Sequence, residues 1–221
     1  MTDFIVYSIP GSPFGRSVLA TLEYKRASYR LEPVAPGTFD QEPHRMRHPF
    51  GKVPALQHGD FMLYETQAIM RYLDRVLAHR PLTPIAPQAA ARMDQLMNVN
   101  DWYLFQGCGN VIGFERIVKP RLMGVEANED AVATAMPKAH RVFDELSRLL
   151  GGQPYLAGDT ISLADLLVAP QLDFLAITPE WPALTESNPN LVDWLDRMQM
   201  LPAMQATTWD KVAAMAPREV A

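Results

Sequence analysis

Val53-Pro54-Ala55-Leu56-Gln57-His58-Gly59-Asp60-Phe61-Met62-Leu63-Tyr64 holds two short apolar runs, 53–56 and 61–64, on either side of the turn-former Gly59-Asp60. A Gly-Asp pair between β-prone runs is hairpin chemistry, so the segment is predicted to fold as two antiparallel strands. Just downstream, Ile69, Tyr72, Leu73, Val76 and Leu77 recur at i, i+3, i+4, i+7 and i+8, the apolar stripe of an amphipathic helix. Upstream, Phe4-Ile5-Val6-Tyr7 reads as a buried strand and Pro10-Gly11-Ser12-Pro13 as a turn. A helix presenting Val18, Leu19 and Leu22 follows, then the alternating strand Tyr29-Arg30-Leu31-Glu32-Pro33-Val34.

The order β-α-β, then β-β-α, predicts a small mixed sheet with helices packed on it, the layout of a thioredoxin-like α/β domain. Past it comes Arg80-Pro81-Leu82-Thr83-Pro84-Ile85-Ala86-Pro87, whose prolines cannot propagate a helix and suit a stiff connector. Beyond the connector helical periods dominate, with helices expected over 88–108, 113–123, 129–150, 162–176 and 190–200. The best-signalled start is Ile161-Ser162-Leu163-Ala164-Asp165-Leu166. Ser162 is placed to cap, Asp165 sits at the third helical position, and Ile161 with Leu166 forms a hydrophobic staple. The helix that follows is apolar almost all round and is expected at the centre of an all-α bundle. The expected organisation is therefore a thioredoxin-like domain over 1–80, a proline-rich linker over 81–90 and an all-helical domain over 91–221.

Composition narrows the function. At 221 residues, 48% hydrophobic and 20% charged, the chain is long and apolar enough to fold without a staple. A single cysteine, Cys108, rules out an internal disulfide, a CxxC pair and a cysteine-based zinc site. A net charge of −5 with no basic run argues against nucleic acid as partner. No stretch approaches the ~18 consecutive apolar residues of a membrane span, and Met1-Thr2-Asp3-Phe4 lacks a basic opening, so a cytoplasmic protein is expected. The charge is unevenly spread: residues 1–80 hold ten Lys/Arg against eight Asp/Glu, and the remainder holds ten against seventeen. Sampling accounts for this as well as a first half that handles a small anion.

Three places in the first domain carry possible chemistry. Ser12 and Pro13 are a preferred helix cap and a preferred first helical residue. A helix start is also an anion site, and a capping hydroxyl that accepts through a lone pair still has an O–H to donate, so Ser12 could cap and also bond a thiolate. Pro54 fits an edge strand or a cis bend; a cis Val53–Pro54 bond would turn the Val53 N–H and C=O outward for an extended peptide. Glu65-Thr66 opens a helix, where an acid and a threonine are ordinary first-turn chemistry. The same groups would also hold the carboxylate and ammonium of an amino-acid end.

Gly11-Ser12-Pro13-Phe14-Gly15, Pro49-Phe50-Gly51-Lys52-Val53-Pro54-Ala55-Leu56, Tyr64-Glu65-Thr66-Gln67-Ala68-Ile69 and Ile161-Ser162-Leu163-Ala164-Asp165, in this order and spacing, resemble the soluble glutathione transferases. The likeness is to bacterial relatives of the phi, theta and tau classes. It implies a thioredoxin-like domain followed by an all-helical one, glutathione as co-substrate, no metal, a hydrophobic electrophile as second substrate, detoxification chemistry and a homodimer. It further implies that Ser12 stabilises the glutathione thiolate and that Phe14, Lys52, Val53, Pro54, Glu65 and Thr66 bind glutathione. Within these, Val53 before the cis-proline meets the cysteinyl unit and Glu65-Thr66 the γ-glutamyl end. An acidic or polar residue on a partner subunit's long helix, Asp101 or Asn98 here, would approach the same end. Trp102 and Phe105 are candidates for the electrophile pocket, or simply for helix packing.

The chain departs from the family pattern in places. Where phi-class relatives carry a His-Lys pair that grips the glycine carboxylate, this chain has Phe39 and Asp40, so that grip is absent or supplied by others such as Gln41 or His44. The Ser-Ser-Cys-Ser run of zeta-class isomerases is replaced by Gly11-Ser12-Pro13-Phe14. His44 and His48 stand four apart, yet no third metal ligand accompanies them. Gly107-Cys108-Gly109-Asn110-Val111-Ile112-Gly113 is one residue too long for a dinucleotide loop.

The chemistry has a size. A thiol of pKa ~8.5 is only a few per cent ionised at pH 7, and lowering it by ~2 units takes about 2.7 kcal/mol. A hydrogen bond to a charged group supplies ~1.5–3 kcal/mol and a helix terminus up to ~1–2. Other readings of the same residues are a glutathione-dependent peroxidase acting on organic hydroperoxides, and a non-catalytic binding module of the same fold.

Overall fold

A computed structural model describes residues 4–215, and they divide into two compact units. One comprises the described residues up to Pro81 together with those from Met200 onward; the other is Leu82–Gln199.

In the first unit, β1 (Phe4–Ser8), α1 (Pro13–Tyr24), β2 (Tyr29–Pro33), α2 (His44–Arg47), β3 (Ala55–His58), β4 (Phe61–Tyr64) and α3 (Thr66–Val76) follow in sequence. The sheet order is β2-β1-β3-β4, with β1 parallel to β2 and the other neighbours antiparallel. Val6 pairs with Leu31 on one side and Leu56 on the other, and all three are buried. Residues of opposite parity face away from them: Tyr7 and Ala55 form a second cluster with Val34, against which Ile5, Ile9, Phe39, Val53 and Met62 pack. Alternation along the strands thus separates two apolar layers. Val18, Leu19 and Leu22 are buried on α1, which packs against α3. Lys25, buried at the end of α1, pairs with Asp74 of α3 and donates to the Leu77 carbonyl at 3.0 Å.

The hairpin forms around Gly59 (φ +61), with β3 beginning two residues later than predicted, at Ala55. On α3 the buried apolar residues are Ile69, Met70 and Leu73, whereas Val76 is exposed. The predicted stripe therefore rotates toward Met70. Tyr72 keeps its ring on the hairpin, its hydroxyl 2.7 Å from His58 Nδ1.

The second unit opens with a helical run that the sequence divides and the structure does not. It consists of α4 (Pro87–Val99), a π-helical stretch π1 (Asn100–Gly109), α5 (Asn110–Gly113) and a second π-helical stretch π2 (Phe114–Met123). The run stops at Gly124, in the left-handed region. Its interior glycines are close-approach positions, not breaks. A Cβ on Gly109 would stand 3.0 Å from the Leu104 carbonyl oxygen, and one on Gly113 would stand 2.6 Å from the Phe174 ring. The predicted gap at 109–112 is corrected accordingly, and the linker ends earlier, because Pro87 is already the first residue of α4. Cys108 lies in this run, buried, its Sγ 3.1 Å from the Leu104 carbonyl oxygen; burial pushes its thiol up to about 11.

Next come α6 (Glu129–Leu150), α7 (Leu163–Leu175), α8 (Trp181–Thr185) and α9 (Pro189–Gln199). As its composition implies, α7 is buried along most of its length. Its start carries the predicted capping box between Ser162 and Asp165, with further bonds added to it. The Ser162 hydroxyl donates to Asp165 Oδ2 at 2.7 Å, and the Ser162 N–H reaches the same oxygen at 2.9 Å. Oδ1 accepts from the Leu156 N–H (2.8 Å) and the Trp194 indole N–H (2.9 Å). Burial raises the Asp165 carboxyl above the ordinary range against the downward pull of these donors.

Two short helices absent from the sequence reading, α10 (Pro202–Ala206) and α11 (Trp209–Met215), belong to the first unit. The assignment of everything past 91 to the helical domain is corrected there. Arg16 of α1 donates to the Met204 carbonyl at 3.2 Å, and the Tyr29 hydroxyl lies 3.7 Å from Met215 Sδ.

Candidate active site

Tyr7, Ala55 and Tyr64 are register partners across three neighbouring strands. From that one row the chain leaves β1 toward Ser12, enters β3 from Val53-Pro54, and leaves β4 into Glu65-Thr66. Strand pairing therefore gathers at one end of the sheet three segments that lie far apart in sequence.

Ser12 caps α1 in extended conformation (φ −75°, ψ 115°), with Pro13 at the first helical position, and its Oγ accepts the Gly15 N–H at 3.1 Å. Its O–H donates to nothing among the described residues, and the side chain is half-buried, so a donor remains at the positive end of a helix whose first turn holds no acid. Gly15 brings β1 close: a Cβ there would meet Ser8 Oγ at 2.0 Å. Gly11, at φ +80, lies under the Trp209 ring, which a Cβ would meet at 2.2 Å. The Tyr7 hydroxyl nearby donates to Gln57 Oε1 at 2.7 Å while the Arg47 guanidinium sits over its ring at 4.1 Å. Phe14 is half-buried in the first turn of α1.

The Val53–Pro54 peptide is cis. Pro54 is buried, Val53 packs on the Tyr7 cluster, and sheet pairing starts only at Ala55, so the Val53 backbone lies outside the ladder. The preceding carbonyl, that of Lys52, faces His44 Nε2 at 2.8 Å; opposite a carbonyl that nitrogen carries the proton and donates. Lys52 itself is exposed. Of the substitutes for the His-Lys grip, His44 is committed to this carbonyl and the Gln41 amide to the Gly37 carbonyl at 3.2 Å. Phe39 belongs to the Tyr7 cluster, and Asp40 lies against Gly51 (φ +58), whose added Cβ would be 2.3 Å from Oδ1.

The His44 and His48 rings stack with centroids 6.5 Å apart, and among the described residues no group of three His, Cys, Asp or Glu side chains placed to hold a metal ion occurs. The His48 ring rests on Tyr64 at 5.0 Å, and Phe50 packs edge-on against both. Burial foremost, then the charges of His44 and Lys52, lowers the His48 pKa. The Nδ1 atoms of both histidines are buried without a hydrogen-bond partner.

Glu65 caps α3 at φ 71, a sparsely populated conformation for a residue with a side chain, and its carbonyl accepts the Ile69 N–H at 2.9 Å. Its side chain is exposed while Thr66 beside it is buried. The arrangement lifts a carboxylate clear of the surface and sinks a hydroxyl and a helix-start N–H next to it.

Trp102 and Phe105 lie on π1 in the second unit, Trp102 63% exposed and Phe105 half-buried. Asn98 donates to the Asp94 carbonyl at 3.0 Å, and Asp101 accepts from Asn100 at 2.9 Å. Sequence reasoning missed the roles of His44 and Trp209. The signal for His44 was a polar ring on a short helix just before a Gly-Lys-Val-Pro bend; for Trp209 there was none, because its partner Gly11 is remote in sequence.

The family model for the glutathione S-transferase N-terminal domain matches residues 2–75, and that for the C-terminal domain matches residues 110–202. A glutathione S-transferase of Hyoscyamus muticus is 33% identical over 196 residues, covering 87% of this chain and 91% of its own. Glutathione transferase F7 of Populus trichocarpa superposes with a TM-score of 0.83 at 27% identity, over 97% and 99% of the two chains. The structure of a glutathione S-transferase-I bound with lactoylglutathione superposes at 0.82 with 28% identity, over 96% and 99%.

Proposed function

The chain belongs to the glutathione S-transferase family, and from that premise we propose that it conjugates glutathione to small hydrophobic electrophiles. The Ser12 O–H donates to the glutathione sulfur, and the start of α1 adds its dipole, so the thiol loses its proton near neutrality. The thiolate then attacks an electrophilic carbon; a carbon–sulfur bond forms and the leaving group departs with the displaced electron pair. The Val53 N–H and C=O pair with the cysteinyl backbone beside Pro54, with Phe14 near the thiol end. Thr66 takes the γ-glutamyl carboxylate while Glu65 takes its ammonium. Lys52, an exposed cation next to Val53, faces the glycine carboxylate in place of the missing His-Lys pair. Residues 1–80 bind glutathione and the helical half supplies the apolar pocket, lined by Trp102 and Phe105. The working form is a cytoplasmic homodimer engaged in detoxification. No helix among the described residues is long and apolar enough to cross a membrane.

The observation that carries this reading is the Ser12 hydroxyl, which caps a helix through its oxygen and keeps its proton available at the sheet end where Val53 and Glu65 converge. The test is the ultraviolet thiolate absorbance of bound glutathione against pH. Wild type should titrate about 2 units below the free thiol, and Ser12→Ala should revert toward ~8.5, with kcat/KM near pH 7 falling about tenfold to a hundredfold. If both titrate alike near the free value, Ser12 is a cap and nothing more.

A further inference from the structure

We infer that His44 is a positioning residue for glutathione: by holding the Lys52 carbonyl it aims the Val53 N–H at the bound peptide. The inference rests on the glutathione reading of this site and adds to it a residue outside the motif segments.

Among the described residues only Glu42–Pro43 and Val53–Pro54 are cis, so the Lys52–Val53 unit is trans and its C=O and N–H point in opposite directions. Fixing one end of such a plane fixes the other. The one hydrogen bond on this unit among the described residues is the 2.8 Å bond from His44 Nε2–H to the Lys52 oxygen. The ladder gives no support, since it begins at Ala55. The residue before Lys52 is Gly51 at φ +58, a pivot that resists rotation poorly. Without His44 no hydrogen bond among the described residues would set the tilt of that plane, and only the packing of Val53 and Pro54 would restrain it.

The donor, by contrast, is held on both sides. His44 is buried on α2, with Phe39 edge-on at 6.1 Å and His48 stacked at 6.5 Å. Phe39 packs in the cluster that also takes the Val53 side chain, so imidazole and target are seated on common ground. A preoriented backbone donor binds more tightly than one that must be ordered on each encounter.

His44→Phe keeps a ring of similar size between Phe39 and His48 but removes the donor; His44→Gln restores an N–H at comparable reach. His44→Phe should raise the KM for glutathione about five- to tenfold, the size of one oriented hydrogen bond. The kcat at saturating glutathione and the pH midpoint of the bound thiol should stay within about twofold and a few tenths of a unit, because Ser12 is untouched. His44→Gln should recover most of the lost KM. A His44→Phe enzyme with wild-type KM overturns the inference, and so does equal loss of kcat and thermal stability in both variants, which would make His44 a packing residue. Wild-type protein that neither binds glutathione nor conjugates it overturns the reading of the site itself, a result distinguishable from either of these.

Discussion

Two helix starts in this molecule carry a serine at the cap, and they do opposite things with it. At α1 the Ser12 oxygen accepts one backbone N–H and the hydroxyl proton has no acceptor among the described residues, on a side chain half open to its surroundings. At α7 Ser162 is fully buried, and its hydroxyl proton is committed to Asp165, whose carboxylate also takes three N–H donors. The residue type and position are shared; saturation and burial differ. A buried polar network is stable only when every member is matched, whereas a group meant to meet a ligand must keep a valence in reserve. The first start keeps a donor unspent, as the proposed thiolate role requires, while the second spends every valence on holding α7 to the rest of its unit.

The largest expected effect tests the saturated start. Asp165→Ala strands the N–H groups of Leu156 and Ser162 and the indole N–H of Trp194 in a buried setting. Each stranded donor costs ~1–3 kcal/mol, so a loss of about 3–5 kcal/mol is expected in denaturant unfolding after partial relaxation. Ser12→Ala, which removes a cap from a half-open site, should cost only about 1 kcal/mol while taking most of the activity. Equal stability losses from the two would erase the distinction drawn here.

That distinction also explains what could be read without coordinates. Elements with their own local signals were legible: the hairpin about Gly59-Asp60, the capped start of α1, and the apolar α7. So were the segments proposed for the site, because Ser12, Val53-Pro54 and Glu65-Thr66 are short stretches whose candidate chemistry is written in adjacent residues, and the sheet brings them to one end. What escaped depends on contacts distant in sequence. Gly109 and Gly113 look like breaks until Leu104 and Phe174 are seen pressed against them. That Asp165 also gathers the N–H groups of Leu156 and Trp194 on its Oδ1 shows only once the fold brings those residues to it. The packing of α10 and α11 with the first unit has no marker in the local sequence, since Trp209 meets Gly11 only through the fold.

That last contact sharpens the comparison. If α7 begins on hydrogen bonds, the Ser12 turn is held in large part by packing, with the Trp209 ring on the bare α-carbon of Gly11 at φ +80. Gly11→Ala adds a methyl into the ring and a side chain to a left-handed backbone, with an expected cost of about 2–3 kcal/mol. Trp209→Ala in the same chain should return the steric part, about 1 kcal/mol, so the double variant should be more stable than the sum of the single losses predicts. Strict additivity in thermal or denaturant unfolding would mean that the ring does not bear on Gly11.

The smallest effect concerns a buried polar group next to the open site that has not been matched. The His48 pKa is lowered, chiefly by burial and then by the His44 and Lys52 charges, so the folded chain refuses a proton that the unfolded chain accepts below about 6.5. Stability is then complete above that value and is lost as pH falls through the window beneath it, with a slope of at most about 1.4 kcal/mol per pH unit. His48→Phe keeps a ring against Tyr64 and removes the titration, so its unfolding free energy should be flatter between about pH 6.5 and pH 5 than that of wild type. The difference between the two curves isolates His48 from every other titrating group. Parallel curves would mean that the unmatched nitrogen is tolerated in either protonation state, and that burial near the open site imposes less on polar groups than it does at Asp165.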